Sequence, residues 1–284
     1  MAQPRSKDWL SRSFDIDAYD PLVTPVRTNR KDLGLSSDSQ AWSGVLTTLQ
    51  FRSEVTAKLI QHAGSDESVV AAARVSTIGP DSERYLKTPA DQSQGLISYL
   101  MRNRHGTPFE HASMTFLIEA PIFVFREFHR HRIGWSYNEL SARYSEVEPI
   151  FYVPGERREL FQQGRPSEYR LVQADEESRE DFSQVVRNQS EAAYEAYREL
   201  IARGFAREVA RMVLPVNVFS AMYATCNPRS LMHFLSLRTE ADSAKYPSRP
   251  LKEISYLATT LESIFGRLFP MTYAAFCDSG RVAP

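Results

Sequence analysis

The sequence is poor in cysteine, with only Cys226 and Cys277 among its 284 residues. Two cysteines are too few for a disulfide framework, and these two do not have the close spacing of zinc ligands. We therefore expect a reducing environment, by default the cytoplasm. The chain also lacks the apolar core of a secretory signal and any apolar run long enough to span a bilayer, so no membrane partner is expected.

An excess of charge of one sign is also missing. Lysine and arginine number 34, aspartate and glutamate number 35, and the formal net charge is -1. Such a chain has no overall attraction for nucleic acid or for an acidic membrane, so any anion site has to be a local cluster. Glycine-rich phosphate loops are absent too, since neither GxGxxG nor the P-loop pattern occurs.

Residues 1–48 differ in composition from the rest of the chain. They are rich in serine, aspartate, arginine and proline without a sustained hydrophobic period, which predicts an N-terminal extension that is ordered in part at most. Residues 49–284 carry regular patterns and are long enough to bury a sizeable core. Helical patterns dominate and strands are few, so we predict an α+β domain rather than a doubly wound sheet.

Hydrophobic periods and capping signals place the individual elements. Strands are predicted at 53–63 and 112–120. Helices are predicted at 66–77 with Asp66 as the cap, at 91–106 ending at Gly106, and at 121–134 with Pro121 as the first helical residue. Residues 162–179 are predicted to be a loop or connection, and further helices are predicted at 175–203, 206–214, 227–238 and 248–270. The last two helices are predicted to begin with an Asn or Ser cap near a proline.

The densest cluster of charge is the run 126–146, REFHRHRIGWSYNELSARYSE. If the predicted helix continues into this run, Arg126 and Arg130 share one face of it. Arginine beside an apolar face needs a planar anionic partner, which can be a carboxylate or a phosphate. Two explanations stay open: ion pairs with the glutamates of the same run, or an anionic ligand.

A second cluster, RHGTPFEH at 104–111, contains His105, Glu110 and His111. The spacing fits no standard zinc pattern, because an HExxH pair lies four residues apart on a helix whereas Gly106 and Pro108 favour a turn. We therefore expect no metal. A turn that exposes polar side chains to a polar ligand is the better interpretation.

Arginines recur in the later predicted helices. Arg207 and Arg211 lie four residues apart, as do Arg229 and His233, and Arg238 ends the helix that holds the second pair. Asn227 would cap that helix, whose N-terminus itself attracts anions. A single arginine such as Arg238 could merely complement a helix C-terminus, but the repetition indicates an anionic ligand.

Nucleophilic catalysis has little support in the sequence. Cys226, in ATCNPRS, has no evident base beside it and is better explained as a small buried residue next to a helix cap. Ser136, Ser141 and Ser145 show no nucleophile-elbow motif.

The run RHRIGWSYNELSARY closely resembles the signature of flavin-dependent thymidylate synthases, which reads RHR, seven residues, Ser. The runs AARVST, HGTPFEH, APIFVFREF, REVARMVLP and NPRSLMHFLSLR resemble further blocks of that family in the same order, and the resemblance covers about residues 51–284. There are three departures. Eight residues separate Arg132 from Ser141, His233 stands where the family often has Asn, and residues 1–48 have no counterpart in the family's compact core.

This resemblance implies a helix-rich α+β domain packed around a small, mainly antiparallel sheet. It also implies a homotetramer that binds FAD and a nucleotide where subunits meet. The implied reaction is the reductive C5-methylation of dUMP to dTMP, with methylenetetrahydrofolate as carbon donor and NADPH as reductant. No cysteine nucleophile takes part in that chemistry, which agrees with the sequence.

The resemblance also implies roles for the residues that match the family's motifs. Those expected to hold FAD are Thr107, Arg130, His131, Arg132, Glu139, Asn227, Arg229 and His233. Those expected around the nucleotide are Glu127, Arg130, Glu139, Ser141, Ala142, Arg143, Arg211 and Arg238, with Ser141 and Arg143 near its phosphate. The expected catalytic residues are Arg238, as a fixed cation that polarises the uracil N3 region, and His105, near flavin and folate.

Two other hypotheses stay open. The acceptor could be the ribonucleotide UMP, in a pathway such as nucleoside-antibiotic synthesis, because the eight-residue spacing and the extension could reshape the sugar pocket. A hypothesis of another class is a non-catalytic nucleotide- or RNA-binding module. The near-zero net charge and the absence of an RNA-binding motif argue against it, so no nucleic-acid partner is expected.

Overall fold

The computed structural model describes residues 48–87, 93–165 and 169–284. Its helices are α1 (Asp66–Ile78), α2 (Gln94–Arg102), α3 (Ile122–Phe128), α4 (Glu176–Ala202), α5 (Arg207–Ala210), α6 (Pro228–Arg238), α7 (Lys252–Leu268) and α8 (Pro270–Asp278). Its strands are β1 (Gln50–Arg52), β2 (Thr56–Ala63), β3 (Ser113–Pro121), β4 (Trp135–Glu139), β5 (Ile150–Tyr152), β6 (Phe161–Gln163), β7 (Arg170–Val172) and β8 (Phe219–Cys226). Short 3₁₀ helices occupy Gly79–Lys87, Thr107–Glu110 and Arg211–Val213. The predicted extension lies outside the described residues except for Thr48.

A four-stranded antiparallel sheet in the order β2-β3-β8-β4 forms the centre of the fold. Ala224 of β8 lies opposite Phe116 of β3 on one side and opposite Tyr137 of β4 on the other. Alternate side chains of β3 and β8 are buried, as expected for strands with one covered face. Two smaller sheets, parallel β1-β5 and antiparallel β6-β7, complete the β structure of the described residues. The predicted α+β fold with a small, mainly antiparallel sheet is confirmed.

The main core lies between this sheet and the helices that cover it. Phe234 of α6 and Leu261 and Phe265 of α7 are fully buried in the same cluster as Phe116 of β3. Burying each such side chain contributes about 1.5–3 kcal/mol. A smaller cluster joins Tyr197 of α4 to residues around β5 and β8. None of the helices in the described parts of the chain has the length and apolar character that crossing a bilayer requires.

Asp66 does not cap its own helix, so that prediction is wrong. Ser65 is the N-cap of α1, and the buried Asp66 carboxylate faces the start of α8. It accepts hydrogen bonds from the backbone N of Met271 (2.7 Å) and from the backbone N and Oγ1 of Thr272 (3.0 and 2.6 Å). Burial raises the pKa of Asp66 in spite of these hydrogen bonds. Asp66 therefore caps α8, which follows it by about two hundred residues in the sequence.

Helix α2 ends four residues before the predicted Gly106. Arg104 adopts a left-handed conformation with φ 59, and the backbone N of His105 donates to the carbonyl of Leu100 (2.9 Å). This is the hydrogen-bond pattern of a Schellman cap, with arginine where glycine is commoner. The first two residues of the predicted helix, 91 and 92, lie outside the described residues.

Helix α3 is also shorter than predicted, because it ends at Phe128. Pro121 precedes it as the N-cap residue instead of occupying its first turn. Residues 130–132 therefore leave the helix, and Arg126 and Arg130 do not share a helical face.

The other element predictions have mixed outcomes. Helices α4 and α6 are confirmed, and so is the Asn227 cap of α6, which accepts from the backbone N of Ser230. The α4 cap is Asp175, which accepts from the backbone N of Ser178. Helix α7 begins at Lys252 without a side-chain cap, whereas Ser248 donates to a carbonyl of α6. The sequence patterns did not predict strands β4 and β8 or the β6-β7 pairing inside the predicted loop.

Candidate active site

The turn that follows α3 is held in place by Tyr137 of β4. The Tyr137 hydroxyl donates to the carbonyl of His131 (2.5 Å) and lies 3.4 Å from that of Phe128. The Phe128 and Tyr137 rings also meet edge to face, with centroids 6.0 Å apart. These contacts redirect the backbone at 129–131, which explains why the helical pattern of the sequence does not continue through the RHR run.

Gly134 and Trp135 fix the same turn against the start of α6. Gly134 has φ +67, and a Cβ atom there would lie 2.1 Å from Ser230 Oγ, so the close approach requires glycine. Trp135 is buried, stacks on Tyr137 with an interplanar angle of 8°, and donates from Nε1 to the carbonyl of Ser230 (3.4 Å). Of residues 133–135, Trp135 therefore packs into the core beneath α6, whereas Ile133 is 92% exposed.

Arg238, at the end of α6, joins Glu127 and His131 into one group, here called the Arg238 cluster. Its Nη1 contacts Glu127 Oε2 (2.5 Å), its Nη2 donates to the Glu127 carbonyl (3.3 Å), and its Nε donates to His131 Nε2 (3.0 Å). The guanidinium is mostly buried, with 16% of its side chain exposed. Its orientation is therefore fixed by three contacts from the protein itself.

His131 is an uncharged acceptor inside this cluster. Burial, followed by the nearby charges of Arg238, His233 and Arg130, lowers the pKa of His131 from 6.5 to about 4. At neutral pH its Nε2 is thus free of a proton and accepts the Arg238 hydrogen bond. The influence of these three groups on one imidazole also places Arg130 and His233 beside the Arg238 cluster.

The arginines of the RHR run have no carboxylate partner among the described residues. Arg130 and Arg132 are exposed, and the glutamates of the run pair elsewhere: Glu127 with Arg238, and Glu146 with Arg207 (3.7 Å). Glu139 accepts a hydrogen bond from Ser220 Oγ (2.8 Å). The hypothesis of ion pairs within the run is therefore wrong, and this surface keeps its positive charge.

The start of α6 lies against the Thr107–Glu110 turn. Arg229 donates from Nη1 to Glu110 Oε1 (2.6 Å), and its guanidinium covers Gly106, where a Cβ atom would lie 2.5 Å from Arg229 Cζ. Burial and the charges of Arg229 and Arg104 lower the pKa of His233. Thr107, Asn227, Arg229 and His233 thus belong to one region. His105 is exposed at the edge of the same turn, with its ring centroid 5.8 Å from that of Tyr99.

Three residues expected around the nucleotide form a separate group with Glu208, here called the Arg143 cluster: Ser141, Arg143 and Arg211. Glu208 Oε2 accepts from Arg143 Nε (2.8 Å), and the Glu208 carbonyl accepts from Arg211 Nε (3.3 Å). The backbone N of Arg143 donates to Ser141 Oγ (3.3 Å), across the intervening Ala142. No hydrogen bond or ion pair between described residues joins this group to the Arg238 cluster.

Sequence reasoning missed three residues that support these groups: Tyr137, Glu208 and Ser220. Tyr137 lies two residues after the buried Trp135, a period-two strand signal in a stretch for which no element was predicted. Glu208 lies between Arg207 and Arg211 in a short helical segment, where a pairing role was open to prediction. Ser220 carries no local signal, because only the pairing of β4 with β8 brings it to Glu139.

The other candidate chemistries find no support in the geometry. Cys226 is 2% exposed and burial raises its pKa well above the ordinary value, which confirms it as a buried small residue. Within the described ranges, no three His, Cys, Asp or Glu side chains come together as a metal site requires.

Comparison with known proteins identifies the family. The family model described as "Thymidylate synthase complementing protein" matches residues 58–271. A flavin-dependent thymidylate synthase of Streptomyces avermitilis is 58% identical over 234 residues, which cover 82% of this chain and 95% of that protein. The enzyme of the same name from Streptomyces coelicolor is 53% identical over 236 residues, which cover 83% and 96%.

Solved structures give the same result. The UMP/dUMP methylase PolB from Streptomyces cacaoi, bound with 5-Br dUMP, is 48% identical with a TM-score of 0.78, covering 83% of this chain and 100% of that one. In its 5-Br UMP complex the identity is 47% and the TM-score 0.75, with 84% and 100% covered. The family match at residues 58–271 spans the positions of both clusters described above. The protein therefore belongs to the flavin-dependent thymidylate synthase family and is an enzyme of that type.

Proposed function

We propose that this enzyme converts dUMP to dTMP by reductive C5-methylation, with FAD as cofactor, methylenetetrahydrofolate as carbon donor and NADPH as reductant. The observation that carries the proposal is the Arg238 cluster, a fixed guanidinium beside the uncompensated charges of Arg130 and Arg132. The proposal takes the cell cytoplasm as the site of this reaction, where dUMP and folate are metabolised.

The donors in this region fit an anionic dinucleotide such as FAD. Its diphosphate needs several cations, and Arg130 and Arg132 are exposed without carboxylate partners in the described parts of the chain. Asn227 and Arg229 lie at the start of α6, an end of a helix that favours anions, and His233 lies about one turn further along the helix. Thr107 and Glu139 add hydrogen-bonding groups on either side. When bound, FAD supplies the hydride chemistry, and the protein supplies position and electrostatics.

In this proposal Arg238 is the catalytic residue. A fixed cation at the uracil N3 region stabilises negative charge on the ring, and this makes C5 more nucleophilic towards the carbon donor. Glu127 and the neutral His131 hold the guanidinium on two sides, so no reorganisation is needed when charge develops. His105, exposed beside the α6 region, is assigned to the neighbourhood of flavin and folate.

The Arg143 cluster is assigned to the nucleotide phosphate. Arg143 and Arg211 provide charge, and Ser141 provides a hydroxyl. Since no hydrogen bond or ion pair between described residues joins this group to the Arg238 cluster, we propose that the two groups meet across subunits of a homotetramer. Tyr144 and Met212 support this assembly, because they flank the Arg143 cluster and are 78% and 79% exposed.

UMP is a second candidate acceptor. PolB is named a UMP/dUMP methylase, and one of its structures contains 5-Br UMP. Because the name of this relative, at 47% identity, includes UMP, we treat UMP as an alternative acceptor to dUMP in the same reaction. The two acceptors differ by a single 2′-hydroxyl, a difference that a few side chains decide.

The test is turnover of purified protein with dUMP or UMP in parallel, each with FAD, NADPH and methylenetetrahydrofolate and with each omitted in turn. We expect methylated product only in the complete mixtures and a higher kcat/KM for dUMP. Protein that shows no flavin absorbance and binds no added FAD would refute the proposal. A preference for UMP would make UMP the proposed acceptor.

Two further measurements test other parts of the proposal. The Cys226→Ala variant should keep its activity, and light scattering should give the mass of a tetramer.

A further inference from the structure

Residues 280–284 fold back over α6 and α7 and are anchored there by a buried ion pair. Arg281 is 8% exposed, and its Nη1 and Nη2 contact Glu262 Oε1 (2.5 Å) and Oε2 (3.0 Å) of α7. The Arg281 carbonyl accepts from Ser236 Oγ of α6 (2.7 Å). A two-pronged contact of this kind fixes direction as well as distance, so the following residues start from a defined position.

The segment ends against two arginines of the candidate active site. The main-chain oxygen of Pro284 accepts from Arg229 Nε (2.8 Å), and the carbonyl of Ala283 accepts from Arg104 Nη2 (3.4 Å). Ala283 is buried at 2% exposure, so this end of the segment packs into the protein and does not lie loosely on its surface. The charges of both arginines also contribute to the lowered pKa of His233 in α6.

Arg229 is consequently held on two of its edges. Pro284 accepts a hydrogen bond from Nε, and Glu110 accepts one from Nη1. The absence of a side chain at Gly106 leaves room for the guanidinium plane. A guanidinium has five N–H groups, so three remain. In the described part of the chain these three have no hydrogen-bond partner, which leaves them available to an anionic ligand.

We propose that residues 281–284 are a positioning element that orients Arg229, and with it Arg104, towards an anionic group of the flavin cofactor. The inference rests on the proposed function, which assigns Arg229 to FAD. The segment itself does not touch the ligand in this proposal. The main-chain oxygens of Ala283 and Pro284 act through the two arginines, and the Glu262–Arg281 pair keeps those oxygens in place.

The test is a flavin titration of the full-length protein and of a variant that lacks Ala283 and Pro284, followed by absorbance or fluorescence. We expect the Kd for FAD to rise about tenfold, because a hydrogen bond that holds a charged side chain is lost. The matched control is Pro284→Ala, which keeps the backbone carbonyl and should change the Kd less than about twofold. The Kd for dUMP should stay unchanged in both.

A double-mutant cycle separates positioning from a general structural effect. In an Arg229→Ala background, the deletion should add little further loss of FAD affinity, whereas additive losses would overturn the inference. A deletion variant that binds FAD as wild type would also overturn it. If the deletion lowers the Tm sharply, Arg281→Lys replaces it, since lysine keeps the buried charge but loses the two-pronged contact, and FAD affinity should again fall. Wild-type protein that binds no FAD would refute the proposed function instead.

Discussion

Charged side chains have protein partners at the junction of α1, α7 and α8, whereas at the turn between α3 and β4 two arginines have no carboxylate partner among the described residues. At the junction, Asp66 accepts three hydrogen bonds from α8, and Glu262 pairs with Arg281 through both of its oxygens. At the turn, Arg130 and Arg132 are exposed and have no carboxylate partner among the described residues. Charged groups that are paired within the protein stabilise the fold, whereas charged groups without a protein partner are available to bind a ligand.

The Arg238 cluster lies between these two extremes. Its guanidinium is mostly buried and held by Glu127 and His131, yet each Nη still has an N–H without a partner in the described ranges. Burial makes each remaining donor stronger towards a ligand, because water competes less for it. The comparison therefore predicts that substitutions at the junction affect stability and that substitutions in the clusters affect binding and turnover.

The largest effect is expected for Arg238→Ala. The proposed role of Arg238 is to stabilise charge on the pyrimidine ring, so kcat should fall by about 100-fold or more while FAD affinity changes much less. Single-turnover kinetics and flavin titration measure the two quantities. Arg238→Lys, which keeps the charge but loses the planar fork, should recover part of the rate. Equal loss of flavin binding and of turnover would assign Arg238 a structural role and remove the distinction between the two regions.

The next largest effect is expected for Asp66→Ala, on stability alone. The change leaves the buried start of α8 without its acceptor, so the free energy of unfolding should drop by about 2–3 kcal/mol. Urea denaturation measures this drop, and the exposed Asp81→Ala is the control, expected to cost less than about 0.5 kcal/mol. Protein that remains folded should bind FAD and dUMP normally. A binding defect without loss of stability would contradict the comparison.

Ser141→Ala should have a smaller effect on the nucleotide. Loss of one hydroxyl near the phosphate should raise the KM for dUMP about three- to tenfold, with little change in Tm. Steady-state kinetics with varied dUMP check this, alongside Ser136→Ala, a change at an exposed serine of β4 that should leave KM unaltered. Unchanged kinetics in Ser141→Ala would mean that the eight-residue spacing has moved this serine away from the site.

The smallest effect is the pH dependence that His131 contributes. Because its pKa in the folded protein is lowered to about 4, the unfolded chain takes up a proton at higher pH than the folded chain does. The stability contribution of His131 is thus complete above pH 6.5 and is lost progressively as the pH falls towards 4. The imidazole is partly exposed, so the loss should be about 1 kcal/mol. Denaturation of wild type and His131→Asn across this range measures it, and parallel curves would contradict the prediction.

Local signals in the sequence predict several elements correctly. Asn227 caps α6 as its position indicates, because capping depends only on residues within one turn. The strand at 112–120 and the helix at 66–77 follow from hydrophobic period alone. The prediction of a helix through the RHR run is wrong because a contact from outside the helix ends α3 early. Tyr137, nine residues after Phe128, binds the turn at that point.

The candidate site divides in the same way. Its residue types can be predicted from motifs that resemble a known family, but the motifs do not say which arginine has a partner. Arg238 has Glu127 as its partner across 111 residues of sequence, and Arg229 has Glu110 across 119. Such pairings depend on the packing of α6 against α3 and against the Thr107–Glu110 turn, and no local pattern contains that information.

The sequence by itself determined the helix-rich α+β class, the Asn227 cap of α6, the absence of an activated cysteine and the set of residues that resemble the family's flavin and nucleotide sites. Only the tertiary structure decided that β8 lies at the centre of the sheet, that Asp66 caps α8, that His131 is a neutral acceptor and that residues 281–284 hold Arg229. The physical reason is the separation along the sequence between the groups that interact. Caps and hydrophobic periods act within a few residues, whereas burial, charge pairing and pKa depend on groups that come together only when the chain is folded.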